Sequence, residues 1–150
     1  MDLTTNLAEW AAVTKLSPDE VSVNWQDLVR RGLASVEQGT IKISPLAMRR
    51  ANTDAQRQLA AHVAGYLLTE NSYIVRRAGD PPGLPCILNT RITVEQIAIY
   101  FKDGSGVTDI ERDLPVLTRA EIEAEIQYYL NHRAEIEHDL RHSRELYAAN

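Results

Sequence analysis

The chain of 150 residues has one cysteine, one phenylalanine and no apolar run longer than a few residues. A single cysteine excludes an internal disulfide and fits a reducing compartment. The short apolar runs exclude a membrane-spanning helix. The opening Met-Asp-Leu-Thr-Thr-Asn lacks the basic and apolar regions of a signal peptide, so a cytoplasmic location is expected. Also missing are a phosphate-cradling glycine loop, a nucleophile elbow and a zinc motif, so no catalytic set, cofactor or metal is expected. What is present, 44% hydrophobic and 25% charged residues, is the composition of a soluble globular protein rather than a disordered one.

The net charge of −5 is unevenly distributed. Residues 1–29 carry −4, residues 30–91 carry +5 and residues 92–150 carry −6. A basic middle between acidic ends puts any phosphate-facing surface in the middle third.

Residues 1–50 read as a small winged-helix-like unit. Leu3, Leu7, Trp10 and Ala11 share one helical face. Ser17-Pro18-Asp19-Glu20 is a helix-start signature, Trp25, Leu28 and Val29 form a second face, and Gly32 stops it. Leu33–Val36 and Thr40–Ile43 alternate about Glu37-Gln38-Gly39 as a β-hairpin. Thr53-Asp54-Ala55-Gln56 is a capping box that opens a helix to about Thr69, the core of a connecting segment over 51–72. His62 on it reads as a packing or surface histidine.

From Tyr73 the pattern changes. Tyr73-Ile74-Val75 predicts a strand that leads into Asp80-Pro-Pro-Gly-Leu-Pro-Cys-Ile-Leu-Asn-Thr-Arg-Ile-Thr-Val94, a turn, a short apolar segment and a tight corner. Gly83 and Pro85 shape the turn, and Asn89 tolerates the left-handed backbone a corner needs. Cys86 is expected buried and inert. Arg91 is expected to bridge backbone carbonyls across the corner. Two short helices follow, over 94–103 and 107–113. A long helix then starts at the capping box Thr118-Arg119-Ala120-Glu121 and runs through Ile122, Ile126, Tyr129, Leu130, Ile136 and Leu140. The fold class expected is mainly α with a small β component: the winged-helix-like unit, then a helix-turn-helix domain over 73–150 with a long terminal helix.

Residues from about Tyr73 to Leu130 resemble domain-of-unknown-function family 433. The resemblance rests on Gly83, Pro85, Ile87, Thr90, Arg91, Ile92 and Val94, the Asp109-Ile110 to Leu114-Pro115 turn, and Tyr128-Tyr129. Leu84 stands where that pattern has lysine, and Asn89 where it has glycine. The resemblance implies a homodimeric regulator, antitoxin-like, beside a PIN-like ribonuclease toxin.

Three glutamates near the start of the last helix oppose its use as a DNA reader, so that helix-turn-helix is expected to serve packing or dimerisation. The DNA-binding candidates are instead Arg30, Arg31, Lys42, Arg49 and Arg50 in the first unit, although Arg30-Arg31 could equally complement a helix C-terminus. The partner-binding candidates are Glu121, Glu125, Tyr128, Tyr129 and Glu135, whose acidic groups could meet a basic partner. The structural motif is Gly83, Pro85, Asn89, Thr90 and Arg91. His138 and His142, four apart, have metal-compatible spacing but read as solvated. The function expected is a non-enzymatic DNA-binding regulator acting on operator DNA. The alternative is a protein-interaction or structural module that never touches nucleic acid.

Overall fold

The computed structural model describes residues 3–149, with side chains through residue 142. Seven helices and five short strands among these residues make the protein mainly α with a small β component. The chain forms two compact units, Met1–Leu67 and Leu68–Asn150.

In the first unit, α1 (Leu3–Thr14) and α2 (Pro18–Arg30) are joined by a three-residue turn. A capping box starts α2: the Glu20 backbone N–H donates to the Ser17 hydroxyl, and the Glu20 carboxylate accepts from the Ser17 N–H. Val21, Trp25 and Leu28 recur at helical spacing and are buried, and Trp25 meets Trp10 of α1 at a ring-centre distance of 5.0 Å. Gly32, with φ of 73°, releases the chain into β1 (Ala34–Glu37), which pairs antiparallel with β2 (Thr40–Ile43). Glu37 lies opposite Thr40, so the loop is Gln38-Gly39, and positive φ at both matches the right-handed twist of the strands.

The capped helix that follows, α3 (Asp54–Ala64), is shorter than expected. It ends at Gly65, whose φ of 83° is the left-handed C-terminal stop that only glycine adopts cheaply. The sequence places this helix in a connector over 51–72. The structure instead packs it on α1 and α2, because Leu59, Ala60 and Ala61 need an apolar surface to cover them. The first unit therefore extends to Leu67, and β3 (Tyr66–Leu68) carries the chain across the division.

The second unit has one hydrophobic core. β4 (Ile74–Arg77) pairs antiparallel with β5 (Cys86–Ile87), with Ile74 opposite Ile87. Then come α4 (Val94–Lys102), α5 (Val107–Asp113), α6 (Arg119–Asn131) and α7 (Arg133–Ala149). Helix α6 is central: it packs on α4, α5, α7 and both strands. Ile74, Ile87, Ile97, Ile110, Ile122 and Ile136 are fully buried around it.

The expected long helix is broken at His132. One straight helix over this span would be about 48 Å long and would carry its distal apolar residues past the core. At His132 the backbone leaves helical geometry (φ −125°, ψ 32°), and the ring stacks on Tyr128 at 4.1 Å and pairs with Glu70. Helix α7 then turns Ile136 and Leu140 back into the core. Its Glu137 accepts from the Tyr129 hydroxyl at 2.6 Å and from Lys102 at 2.9 Å, which ties α7 to α6 and α4.

Candidate functional site

The basic candidates of the first unit gather at the C-terminal end of α2. Arg31 donates to the Asp27 carboxylate at 3.2 Å, to the Gln56 side-chain oxygen at 3.1 Å and to the backbone carbonyl of Arg50. That last bond folds the Arg49-Arg50 segment onto the helix end. Arg30 pairs with the same Asp27 and keeps 76% of its side chain in solvent. One carboxylate thus meets two guanidinium groups, leaving the cluster positive. Lys42 shares a cleft of about 470 Å³ with Val29, Gly32 and Ser44, and it pairs with Glu37 at 2.7 Å.

Arg31 differs in kind from the rest, because its partners make it a structural tie. The exposed groups able to reach a phosphate are Arg30, Lys42, Arg49 and Arg50. At the other end of α2, Asp19 and Glu20 are exposed and suit the positive end of the helix dipole. The α2 N-terminus is therefore poorly charged for entering a DNA groove, and the cations gather at the C-terminal end.

Sequence reasoning passes over Asp27 and gives Gln56 only a place in a capping box. Gln56 is buried, and all of its side-chain capacity is used. Its oxygen accepts from Arg31 and, at 2.8 Å, from the Asn52 N–H; its amide donates to Asp27 at 2.9 Å and to the Asn24 carbonyl at 3.3 Å. The expected capping box at Thr53 is consequently half made. Thr53 accepts from the Gln56 N–H, while the Gln56 side chain serves the hub instead of the Thr53 N–H. The Gln56 hydrogen bond holds the Asp27 carboxyl below its usual range, with Arg30 and Arg31 adding to the effect.

In the second unit the motif forms the expected corner. Asn89 has φ of 65°, and Thr90 closes the turn by donating its N–H (3.0 Å) and its hydroxyl (2.9 Å) to the Ile87 carbonyl. Pro85 is buried and its carbonyl accepts from the Val94 N–H at 2.9 Å. Gly83 lies against β4 so closely that a Cβ there would come within 3.3 Å of the Cβ of Arg77. The expected bridging role of Arg91 is corrected: Thr90 makes those bonds, and Arg91 is exposed. A left-handed corner gives a direct test. Asn89→Val is expected to lose about 2 kcal/mol in urea unfolding, and Asn89→Gly far less, because a β-branched side chain is strained at positive φ whereas asparagine and glycine tolerate it.

The partner-binding set is placed differently from the expectation that its acidic groups meet a basic partner. Glu121 is buried and serves its own helix, accepting from the Thr118 N–H at 3.0 Å. Glu125 is fully buried, and neither carboxyl oxygen has a hydrogen-bond partner. Burial, with the Glu121 charge adding to it, pushes its pKa up to about 9. Tyr128 and Tyr129 are core residues. Glu135 alone of the five is half-exposed, and it pairs with Arg76, which also donates to the Gly83 carbonyl at 3.1 Å. The reason is the central place of α6: every face except that of Glu123, Gln127 and Leu130 is covered.

Cys86 is buried as expected, and burial raises its thiol pKa. His138 and His142 are exposed, and among the described residues no three His, Cys, Asp or Glu are grouped to hold a metal ion. Among the same residues, no helix is long and apolar enough to cross a membrane.

Residues 81–129 match the model of a family, Protein of unknown function (DUF433). No curated protein and no solved structure matches the chain. The DUF433 segment runs from the turn before β5 through the corner to Tyr129 in α6. It holds the motif residues, the buried glutamates and both tyrosines, and it ends before α7. The basic cluster of the first unit lies outside it.

Proposed function

We propose that this protein is a non-enzymatic DNA-binding regulator that holds the duplex through the basic end of its first unit. The observation that carries the reading is the Arg31–Arg50 carbonyl bond, which collects Arg30, Arg49 and Arg50 at one end of α2, beside a cleft that Lys42 lines. Such a cluster contacts phosphate oxygens, which position a protein on DNA without reading its sequence. The two-helix turn followed by a hairpin also supports the reading, since it presents a helix end and a strand pair on one small body.

The resemblance to family 433 adds the fuller form of the proposal: a homodimeric, antitoxin-like repressor with a PIN-like ribonuclease partner. In that form the partner is not held by Glu121, Glu125, Tyr128 or Tyr129, which are committed to the core of the second unit.

Recovery of the tagged protein from its native host, with and without nuclease treatment, tests both levels. DNA is expected with the unaltered protein and not with Arg30, Arg49 and Arg50 all changed to Ala. These side chains are exposed, so the variant keeps its fold, which circular dichroism checks. Equal DNA recovery by both would overturn the assignment. A small nuclease recovered in equal amount after treatment would support the antitoxin-like form; recovery of neither DNA nor partner would favour the interaction module.

A further inference from the structure

Helix α4 borders a groove of about 460 Å³, lined by Ile92, Gln96, Ile99, Tyr100, Asp103 and Leu114. We infer that this groove is a self-association face, on which a second copy of the chain lays its own α4 antiparallel. Gln96 of each copy then meets Asp103 of the other. The inference rests on the homodimeric form of the proposed function and supplies the surface that form needs.

Gln96, Ile99, Tyr100 and Asp103 lie at positions i, i+3, i+4 and i+7, which is one stripe of a helix. Ile92, Tyr100 and Leu114 are half-buried and rest on the core of the second unit, so the walls are anchored. Ile99 on the same stripe is 44% exposed. Val116, two residues past Leu114, is 69% exposed and continues the apolar surface. Apolar groups gathered around a concavity gain when another apolar surface covers them.

The two polar ends of the stripe select the occupant. The Gln96 side-chain oxygen accepts from the Thr93 N–H at 3.0 Å, which leaves its amide protons to give. The Asp103 carboxylate has no hydrogen-bond or ion-pair partner among the described residues, which leaves an acceptor. Seven residues along a helix put the donor and the acceptor about 10 Å apart. Their midpoint falls between Ile99 and Tyr100. A two-fold axis through that point brings each amide to a carboxylate of the other copy and closes the apolar residues at the centre. This is the isologous arrangement, one patch complementary to itself, and an unrelated partner has no need of it. Residues 92–150 carry −6, so two copies repel over most of this unit. A patch whose single carboxylate is answered by an amide is a face on which they can meet.

Sedimentation equilibrium of the full-length protein tests the inference. Gln96→Glu keeps the start of α4, since a glutamate at that position also accepts from the Thr93 N–H. It sets carboxylate against carboxylate at both ends of the dimer and should raise the dissociation constant at least about tenfold. Asp103→Lys suits a helix C-terminus but turns an ammonium toward amide protons, so it should also weaken the dimer. The double variant pairs a carboxylate with an ammonium twice and should restore the wild-type constant or better it. Circular dichroism checks that each variant is folded. A dimer that neither single change weakens overturns the inference and leaves the homodimeric form to another face. A double variant weaker than both single ones overturns it as well. A wild type that stays monomeric at about 100 µM overturns the inference and the homodimeric form together, and leaves the groove to a different molecule.

Discussion

Glu125→Gln is expected to stabilise the second unit, and the gain should grow with pH. The wild-type carboxyl sits fully buried with neither oxygen hydrogen-bonded, and its pKa is raised from 4.5 to about 9. Burial is the main cause and the neighbouring Glu121 the second. A folded pKa above the unfolded one means the native state holds a proton that the unfolded chain releases. Below pH 4.5 both states are protonated and there is no penalty. Between 4.5 and 9 stability falls by about 1.4 kcal/mol per pH unit, and at pH 7 the loss is on the order of 3 kcal/mol. Glutamine has the same shape and no proton to lose. The variant should therefore match the wild type near pH 4.5 and unfold on the order of 10 °C higher at pH 7. Glu125→Leu, which also removes the unpaired polar atoms, should gain at least as much. Thermal unfolding at several pH values checks this; a Gln variant with no gain at pH 8 would contradict it.

Gln56→Met should have a comparable effect of opposite sign in the first unit. Methionine keeps the volume and removes four hydrogen bonds that tie α2, α3 and the segment before α3 to one buried point. Leaving the Asn52 N–H and the Asn24 carbonyl without this partner, and stripping Asp27 and Arg31 of one hydrogen bond each, is expected to cost about 3 kcal/mol. That is a large share of the stability of so small a unit. A second signature separates hub from packing. The Gln56 bond is the largest cause of the lowered Asp27 pKa, a shift whose stabilisation is present above pH 3.8 and lost as pH falls through the folded value. In the variant the Asp27 pKa should move back toward its ordinary value, as carboxyl NMR would show. Gln56→Glu should also destabilise, since it sets a carboxylate against that of Asp27. Urea unfolding within about 0.5 kcal/mol of wild type would rule the hub out.

Both effects depend on residues whose importance is invisible along the chain. Local rules served well where the structure is local. The Ser17 and Thr118 capping boxes, the Gln38-Gly39 hairpin and the left-handed Asn89 each involve residues within a few positions of one another. The DUF433 signature was legible for the same reason, being a contiguous turn and corner.

Long-range choices were not legible. Glu125 looks like part of an acidic surface because Glu121 and Glu123 flank it, yet α6 is enclosed on several sides and its periodicity leaves 125 inward. Gln56 reads as the second half of a capping box, and only the fold reveals that Asp27, 29 positions away, takes its amide. The break at His132 is set by Tyr128 on its own helix and Glu70 far upstream, and neither proline nor glycine marks it. The basic residues are visible along the chain as a group, but their sorting into one structural tie and several exposed cations required the Arg31–Arg50 bond.

The most direct test of the DNA-binding reading is a salt series on purified protein, following fluorescence anisotropy of a labelled duplex from the region upstream of its own gene. The wild type should bind with log K falling linearly in log salt. Arg30, Arg49 and Arg50 together changed to Ala should flatten that slope by about 3, near one for each phosphate no longer neutralised. Identical slopes and affinities for the two proteins would contradict the account and leave the basic end of α2 as surface alone.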